Sequence, residues 1–498
     1  MSRALAALKK IAVFCHRWMG VVFCLLFAWW FVSGIFMMYC DYPSVEASDR
    51  LAHAQPIDAA RVQLSPEEAW ASLRMNRPPD EVKLAMFDGR PAYWFRLGQP
   101  RAWVYADNGQ TQTEFPDDIN LRTAARWAAR PASAARVERM NREDQWTVGG
   151  VYQAYEPLIK YSWPDGQQVY ISEALGDVVQ YTTKASRLGA YLGPVPHWLY
   201  FTPLRRNPRL WSRIVIWASG IATAAALLGL IAGLTMVSPS KRYRTGGEPT
   251  SIPFAGPKRL HMILGLFFGI IACTWAFSGM LSMDPFPILP VASPSRIPQA
   301  LAPAAFEFGP FEAKHPREAL AEAAGLKISQ LEFTTFAGQP AYIATNDAGQ
   351  SRIIPVRGAA SGEFDRARLV EVVTKVTPAN GVAETQFIDE YDAFYLDRNH
   401  ELPLPVLRVV LNDPQKTRFY IDPKTARIVG EYASGSWAER WLYHGLHSIN
   451  LPWLYNHRPA WDIVVLILML GGTTLSVTAV IIGFQLVRMK LRARRLYD

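Results

Sequence analysis

The chain has 498 residues, of which half are apolar and 19% charged, with a formal net charge of +9. That length is too great for one compact core, so two or three domains are expected. The positive balance does not describe a nucleic-acid patch. Three basic stretches, 1–17, 238–259 and 488–498, carry more than the whole net charge, and each flanks an apolar run.

The first apolar run is Ile11–Tyr39, preceded or opened by Arg3, Lys9, Lys10 and Arg17. About 20 helical residues cross a bilayer, so this run suffices. It is too long for a signal peptide and no small-x-small site follows, while Tyr39 before Cys40 is too bulky for lipoprotein cleavage. An uncleaved anchor is expected. A polar segment follows, in which "SPEEAWASL" reads as a short helix and "FDGRPAY" and "AWVYADNGQ" as alternating strands with glycine turns. Arg205, Arg206, Arg209 and Arg213 precede the second run, Ile214–Val237. Lys241, Arg242, Arg244, Lys258 and Arg259 separate it from the third, Leu260–Met283. Phe286–Pro303 is proline-rich and reads as a linker. A second polar segment repeats the helix-and-strands pattern in "HPREALAEA", "FAGQPAY" and "AYIATNDAGQ", and the last run is Ile463–Val487.

The positive-inside rule puts all three basic stretches, and so both termini, in the cytoplasm; long translocated domains tolerate the outer arginines. The expected organisation is an N-terminus and first helix at 1–40, a first outward domain at 41–196, and an interfacial segment with the second helix at 197–237. A loop at 238–259, the third helix at 260–283 and a second outward domain at 284–438 follow. The chain ends with an interfacial segment and fourth helix at 439–487 and a basic tail at 488–498. The four cysteines, Cys15, Cys24, Cys40 and Cys273, lie in or beside the runs and form neither a disulfide framework nor a CxxCH haem attachment. No flavin, nicotinamide or phosphate-loop motif is visible.

The sequence is also written twice. At an offset of 245, His16 meets His261, Gly20 meets Gly265, Trp30 meets Trp275, and Ser33-Gly34 meets Ser278-Gly279. "VYIS" from Val169 meets "FYID" from Phe419 at an offset of 250, which also carries His197 to His447 and Trp211 to Trp461. A tandem of span, outward domain and span is the expected design.

"DQWT" (Asp144–Thr147), "GPVPHWLYFTPLR" (Gly193–Arg205), "ERWLYHGLHSINLPWLY" (Glu439–Tyr455) and "RPAWDIVV" (Arg458–Val465) resemble the PepSY-associated transmembrane family of bacterial inner-membrane proteins. The resemblance covers nearly the whole chain. It implies an α-helical membrane protein with four transmembrane helices in a bundle and two periplasmic α+β PepSY-like domains, as a tandem duplication. Better-understood relatives include ferric-siderophore reductases that carry b-type haem and siderophore-uptake accessory proteins; PepSY modules elsewhere bind or inhibit peptidases.

The repeat singles out two histidine pairs among nine histidines. His16 and His261 lie near the inner ends of their helices, His197 and His447 just before the second and fourth. Imidazole in a membrane is costly and marks function. It is a good axial ligand for iron, so two pairs would clamp two b-type haems in line. His444, one turn before His447, is either a supporting donor or the ligand itself. Headgroup contacts, helix–helix hydrogen bonds, and an outer iron or copper site of His197, His444 and His447 are the alternatives for these imidazoles. Arg205, Arg206, Arg209 and Arg458 are candidates to neutralise propionates, attract an anionic ferric chelate, or meet lipid headgroups.

Three functions follow. The first is electron transfer across the membrane to a periplasmic ferric-siderophore, with quinol or a separate reductase as donor and siderophore-uptake machinery as partner. The second is a non-enzymatic, membrane-anchored binding or regulatory module for a peptidase or uptake partner, working by β-augmentation. The third is a transporter, disfavoured because the spans are few and no broken helix or buried acid is evident.

Overall fold

The computed structural model describes residues 3–494 apart from 99–100, 246–247, 284–296, 298–300, 302–305, 324, 377–380, 434–435 and 438. The linker predicted over Phe286–Pro303, except Ile297 and Leu301, and the last four residues of the basic tail lie outside the described residues. The chain divides into two compact units: Met1–Tyr42, Ala185–Leu289 and Ser436–Asp498 make one, and Pro43–Lys184 with Pro290–Gly435 the other.

The sheets are built by strands that alternate apolar and polar residues. In the first half, β1 (Glu81–Phe87), β2 (Arg90–Arg96), β3 (Arg101–Tyr105) and β4 (Thr111–Gln112) precede β5 (Arg136–Arg139), β6 (Leu158–Ser162), β7 (Gln168–Ser172) and β8 (Val178–Thr182). A short hairpin, β9 (Tyr243–Thr245) and β10 (Glu248–Thr250), joins the second and third long helices. The second half supplies β11 (Ile328–Phe336), β12 (Gln339–Asn346), β13 (Ser351–Pro355), β14 (Val382–Ile388), β15 (Val406–Leu411), β16 (Arg418–Asp422) and β17 (Arg427–Tyr432).

The strand-rich unit is one body made by both halves. β1 pairs antiparallel with β11, with Leu84 opposite Leu331, giving one seven-stranded sheet in the order β13-β12-β11-β1-β2-β3-β4. One core follows: Val82, Leu84, Tyr93 and Phe95 are buried with Leu331, Phe333, Tyr342 and Ile354, beneath Trp70 and Ala319 of the predicted short helices Pro66–Ala71 and Pro316–Glu322. Each helix starts where a proline follows a capping side chain, Ser65 or His315. Each half then adds a four-stranded meander, β5-β6-β7-β8 or β14-β15-β16-β17. Val169 and Ile171 of β7 turn one way, into a core with Ala124 and Trp127 of the helix Asp117–Ala128. Tyr170 points to the opposite face, where its hydroxyl donates to Asp144 (2.8 Å), which also takes the Lys160 ammonium (2.9 Å). The second half repeats this: Tyr420 donates to Asp392 (2.9 Å), which also accepts from Arg408 (3.1 Å).

Among the described residues the other unit holds four long helices, Arg3–Met37, Pro208–Met236, Gly256–Leu281 and Ala460–Arg494, each containing a stretch long and apolar enough to cross a membrane. Val22 is 71% exposed and Phe267 73%, as lipid-facing side chains are. The first helix packs against the second and fourth, and the third against the same two. Their ends are set by capping rather than hydropathy alone. The second begins at Pro208, ahead of the apolar run, because Asn207 accepts from the Leu210 amide (3.0 Å) and proline suits the first helical position. At its other end Lys9 donates to the Thr235 carbonyl (2.9 Å), a cation on an orphan acceptor. The fourth helix places Asp462 in its first turn, ion-paired with Arg458. Two short helical segments, Pro194–His197 and the π-helical turn Glu439–Gly445, pack against the first and the third long helix respectively.

Candidate functional site: two facing histidine pairs

The structure brings together the pairs that the repeat singles out. The ring centroids of His16 and His261 are 6.3 Å apart, with 31° between the planes. Those of His197 and His447 are 6.0 Å apart, with 72° between the planes. His16 and Ser33, which bonds His197, are 17 positions apart on one continuous helix, so the two pairs stand at levels about 25 Å apart at 1.5 Å per residue.

Every ring is held by the same nitrogen. His16 Nδ1 donates to the Ala225 carbonyl (2.9 Å), which cannot itself donate. His197 Nδ1 lies 3.2 Å from the Trp30 carbonyl and 3.1 Å from Ser33 Oγ. His447 Nδ1 lies 3.0 Å from Ser278 Oγ and His261 Nδ1 2.9 Å from Thr478 Oγ1. With Nδ1 occupied, Nε2 is the nitrogen left to bind. A histidine metal ligand is oriented this way, by a bond from its other nitrogen.

The segments carrying the second pair are pinned alike. Trp211 Nε1 donates to the carbonyl of Trp198, the residue after His197 (2.9 Å), and Trp461 Nε1 to that of Ser448, the residue after His447 (3.0 Å). One residue further, Leu199 and Ile449 both take left-handed backbone, at φ 52° and 49°. For β-branched Ile449 that is a strained conformation of the kind that clusters at functional sites.

A cavity of about 370 Å³ adjoins the first pair, in the range of small-molecule and cofactor sites. It is lined by His16, His261, Gly20, Gly229, Gly265 and Ala479 among other small residues, and by Arg17 and Lys258. A Cβ at Gly20 would meet nothing within 4 Å, whereas one at Gly229 would strike the His16 ring at 2.5 Å. The two glycines do different work: the first leaves open space and the second seats an imidazole.

The family model of the PepSY-associated TM region matches residues 14–481. The chain belongs to the PepSY-associated transmembrane family. No curated protein matches it. The match spans both halves and all four histidines of the facing pairs.

Other predicted site residues fall elsewhere. His447, not His444, faces His197; His444 instead lies against Tyr443, with ring centroids 4.7 Å apart. Among the described residues no group of three His, Cys, Asp or Glu side chains gathers as a metal site. Arg458 is held by Asp462 (Nε to Oδ2, 2.7 Å) and so already has its counter-charge. Asp462 itself is 9% exposed, a buried acid that the sequence reading missed. Arg205 lies over the rings of Tyr200 (4.8 Å) and Trp211 (4.5 Å), while Arg206 and Arg209 are exposed. Sequence reasoning also missed the acceptors of Nδ1. Their signal was present, since Ser33-Gly34 and Ser278-Gly279 recur in register, but hydropathy gives a serine in a span no partner.

Proposed function

We propose that His16 with His261, and His197 with His447, hold two b-type haems in a bundle of duplicated halves, and that the chain carries electrons across a bacterial inner membrane to a ferric-siderophore or similar acceptor. The observation that carries this reading is the spacing. An iron bonded to Nε2 of both rings at about 2 Å would put the ring centroids about 6 Å apart, and the pairs stand at 6.3 and 6.0 Å. The donor set fits as well: neutral imidazoles with Nδ1 bonded away suit iron of a b-type haem. At the first pair Gly20 and Gly265 leave the space a flat macrocycle needs, and Arg17 and Lys258 supply charge for its carboxylates.

Haem iron between two imidazoles supplies reversible one-electron chemistry, which suits release of iron(III) from hard oxygen ligands. The chain's residues do the rest. The four Nδ1–H bonds fix ring orientation, the Trp211 and Trp461 indoles hold the segments that carry His197 and His447, and the apolar helices exclude water. Phe31 and Trp275 fill the level between the pairs, ring centroids 5.7 Å apart. In this reading the termini and the hairpin β9–β10 are cytoplasmic and the strand-rich unit periplasmic; the electron donor is quinol or a separate reductase.

The second reading is a membrane-anchored recognition module. It is favoured by β5, an edge strand exposed along its length, though β1 and β11 have used their edges on each other.

Optical spectra of the purified full chain in detergent, oxidised and then reduced with dithionite, separate the two. A Soret band with sharp reduced α and β bands is expected, with about half the haem lost in each of His16→Ala, His261→Ala and His447→Ala and none in His444→Ala. A colourless, folded protein leaves the recognition module.

A further inference from the structure

The four histidines are received by one recurring device. On the helix facing each ring, a Gly or Ala stands four residues after a backbone carbonyl, and that carbonyl accepts from Nδ1 of His16 and of His197. In three of the four, a hydroxyl three residues on lies within bonding distance of the same nitrogen. For His197 these are Trp30, Ser33 and Gly34. For His447 the corresponding residues are Trp275, Ser278 and Gly279, and the atom bonded to Nδ1 is Ser278 Oγ. For His261 the corresponding residues are Leu475, Thr478 and Ala479, and the atom bonded to Nδ1 is Thr478 Oγ1. For His16 they are Ala225, Leu228 and Gly229, where the middle position has no hydroxyl.

The geometry follows from the helix. A carbonyl has two lone pairs and the helical amide four residues on uses one. At Ala225 the second takes the His16 imidazole, while at Trp30, Trp275 and Leu475 a Ser or Thr hydroxyl also donates to the carbonyl; in each case a ring approaches this turn only if the residue four on has little side chain. A Cβ at Gly279 would touch the ring's Cε1 at 3.6 Å and at Gly229 would overlap it at 2.5 Å, while one at Gly34 would meet Met469 Cε at 2.8 Å before the His197 ring at 3.5 Å. Each hydroxyl is ordered too. Ser33 Oγ donates to the Trp30 carbonyl (3.2 Å), Ser278 Oγ to that of Trp275 (3.1 Å) and Thr478 Oγ1 to that of Leu475 (2.6 Å). Having given its proton away, each hydroxyl can only accept from Nδ1–H.

Resting on the haem reading, we propose that Ser33, Ser278 and Thr478 are positioning residues that strengthen Nε2 of their histidines as a donor to iron, and that Leu228 is where the chain withholds this from His16. A hydroxyl acceptor on Nδ1–H pushes electron density toward Nε2, which favours ferric over ferrous iron and lowers the site's potential. The His197–His447 site has such a hydroxyl on both ligands, and the His16–His261 site on one.

The test is a redox titration of the haem-loaded full chain, with electron paramagnetic resonance to tell the sites apart, since the ring planes differ by 31° at one and 72° at the other. Ser33→Ala and Ser278→Ala are each expected to raise the midpoint of the His197–His447 site. A roughly tenfold change in the ferric-to-ferrous binding ratio is expected, about 59 mV for one electron. Ser278→Thr restores it. Leu228→Thr lowers the midpoint of the His16–His261 site, and Leu228→Val, the same shape without the hydroxyl, does not. Haem content and melting temperature establish that each variant is folded. Midpoints that ignore the hydroxyls in a haem-loaded protein, or that move equally at both sites, overturn the proposal and leave the haem reading standing. A wild-type chain that binds no haem overturns both.

Discussion

Gly229→Ala offers the sharpest perturbation of the first pair. The added Cβ would stand 2.5 Å from His16 Cε1 and 2.8 Å from Nδ1. Ordinary contact begins near 3.4 Å, so the ring must retreat by about 1 Å, and the 2.9 Å bond from Nδ1 to the Ala225 carbonyl cannot survive that. Overpacking of this size costs about 1–3 kcal/mol, while alanine regains about 0.8–1 kcal/mol of helix propensity over glycine. The net loss is at most about 2 kcal/mol, so the protein still folds but the imidazole is displaced. The expected result is a folded chain with about half the wild-type haem, read by optical spectrum per mole of protein, and a melting temperature changed by a few degrees. Gly279→Ala is the control, since its Cβ would touch His447 at 3.6 Å, an ordinary contact; it keeps both haems. Gly229→Ala with full haem, or equal loss in the two variants, would refute the seating role of Gly229.

The joined sheet predicts coupling across the halves. Leu84→Ala and Leu331→Ala each remove a fully buried side chain and cost about 2–5 kcal/mol in thermal or denaturant unfolding. Because they are cross-strand partners, the double variant departs from additivity by about 0.5–3 kcal/mol. Asp392→Ala takes the acceptor from both the buried Tyr420 hydroxyl and Arg408, at about 1–3 kcal/mol for each group left unsatisfied; Asp392→Asn, which keeps an acceptor oxygen, costs less. Asp107 is hydrogen-bonded by Arg90 and Arg61, which hold its carboxyl below the ordinary 3.8. A depressed folded pKa stabilises above the unfolded value and is lost as pH falls through the folded one. Asp107→Asn is therefore less stable than wild type at pH 7, and the two melting curves converge in acid below that ordinary value.

The spans were legible because hydropathy reads them directly. The histidine pairing was legible for a different reason: the repeat carries His16 to His261 at an offset of 245 and His197 to His447 at 250, and the structure sets the rings of each pair about 6 Å apart. Helix starts were less so, because Asn207 and Pro208 begin the second helix ahead of its apolar residues. The choice between His444 and His447 turns on a π-helical turn, whose wider pitch no 3.6-residue pattern reveals. The β1–β11 pairing was invisible, since an edge strand looks the same whether it meets water, a partner or the other half of its own chain. The carbonyl acceptors of His16 and His197 were invisible as well, because every residue has one; only the small residue four positions on betrays which carbonyl is in use.

Two halves related by a repeat would, by themselves, make equivalent contributions at each level of the membrane. Any difference between the levels then comes from what each segment type carries, and any difference between halves from departures in the repeat. Some departures lie near the histidines. Leu228 stands where the other half has Thr478, so the two ligands of one pair differ in strength. Arg440, 4% exposed and bonded through its guanidinium to the Asn450 side chain (2.7 Å) and carbonyl (2.9 Å), precedes His447, whereas an offset of 250 places Ala190 in the other half. Arg17 and Lys258 line the cavity at the opposite level. A fixed cation near an electron-accepting group favours its reduced state, and a hydroxyl acceptor on Nδ1–H favours the oxidised one. In the proposed transfer the relative potentials of the two sites are thus a balance of identifiable side chains, and the deviations from the repeat are where selection for a direction of flow would have to act.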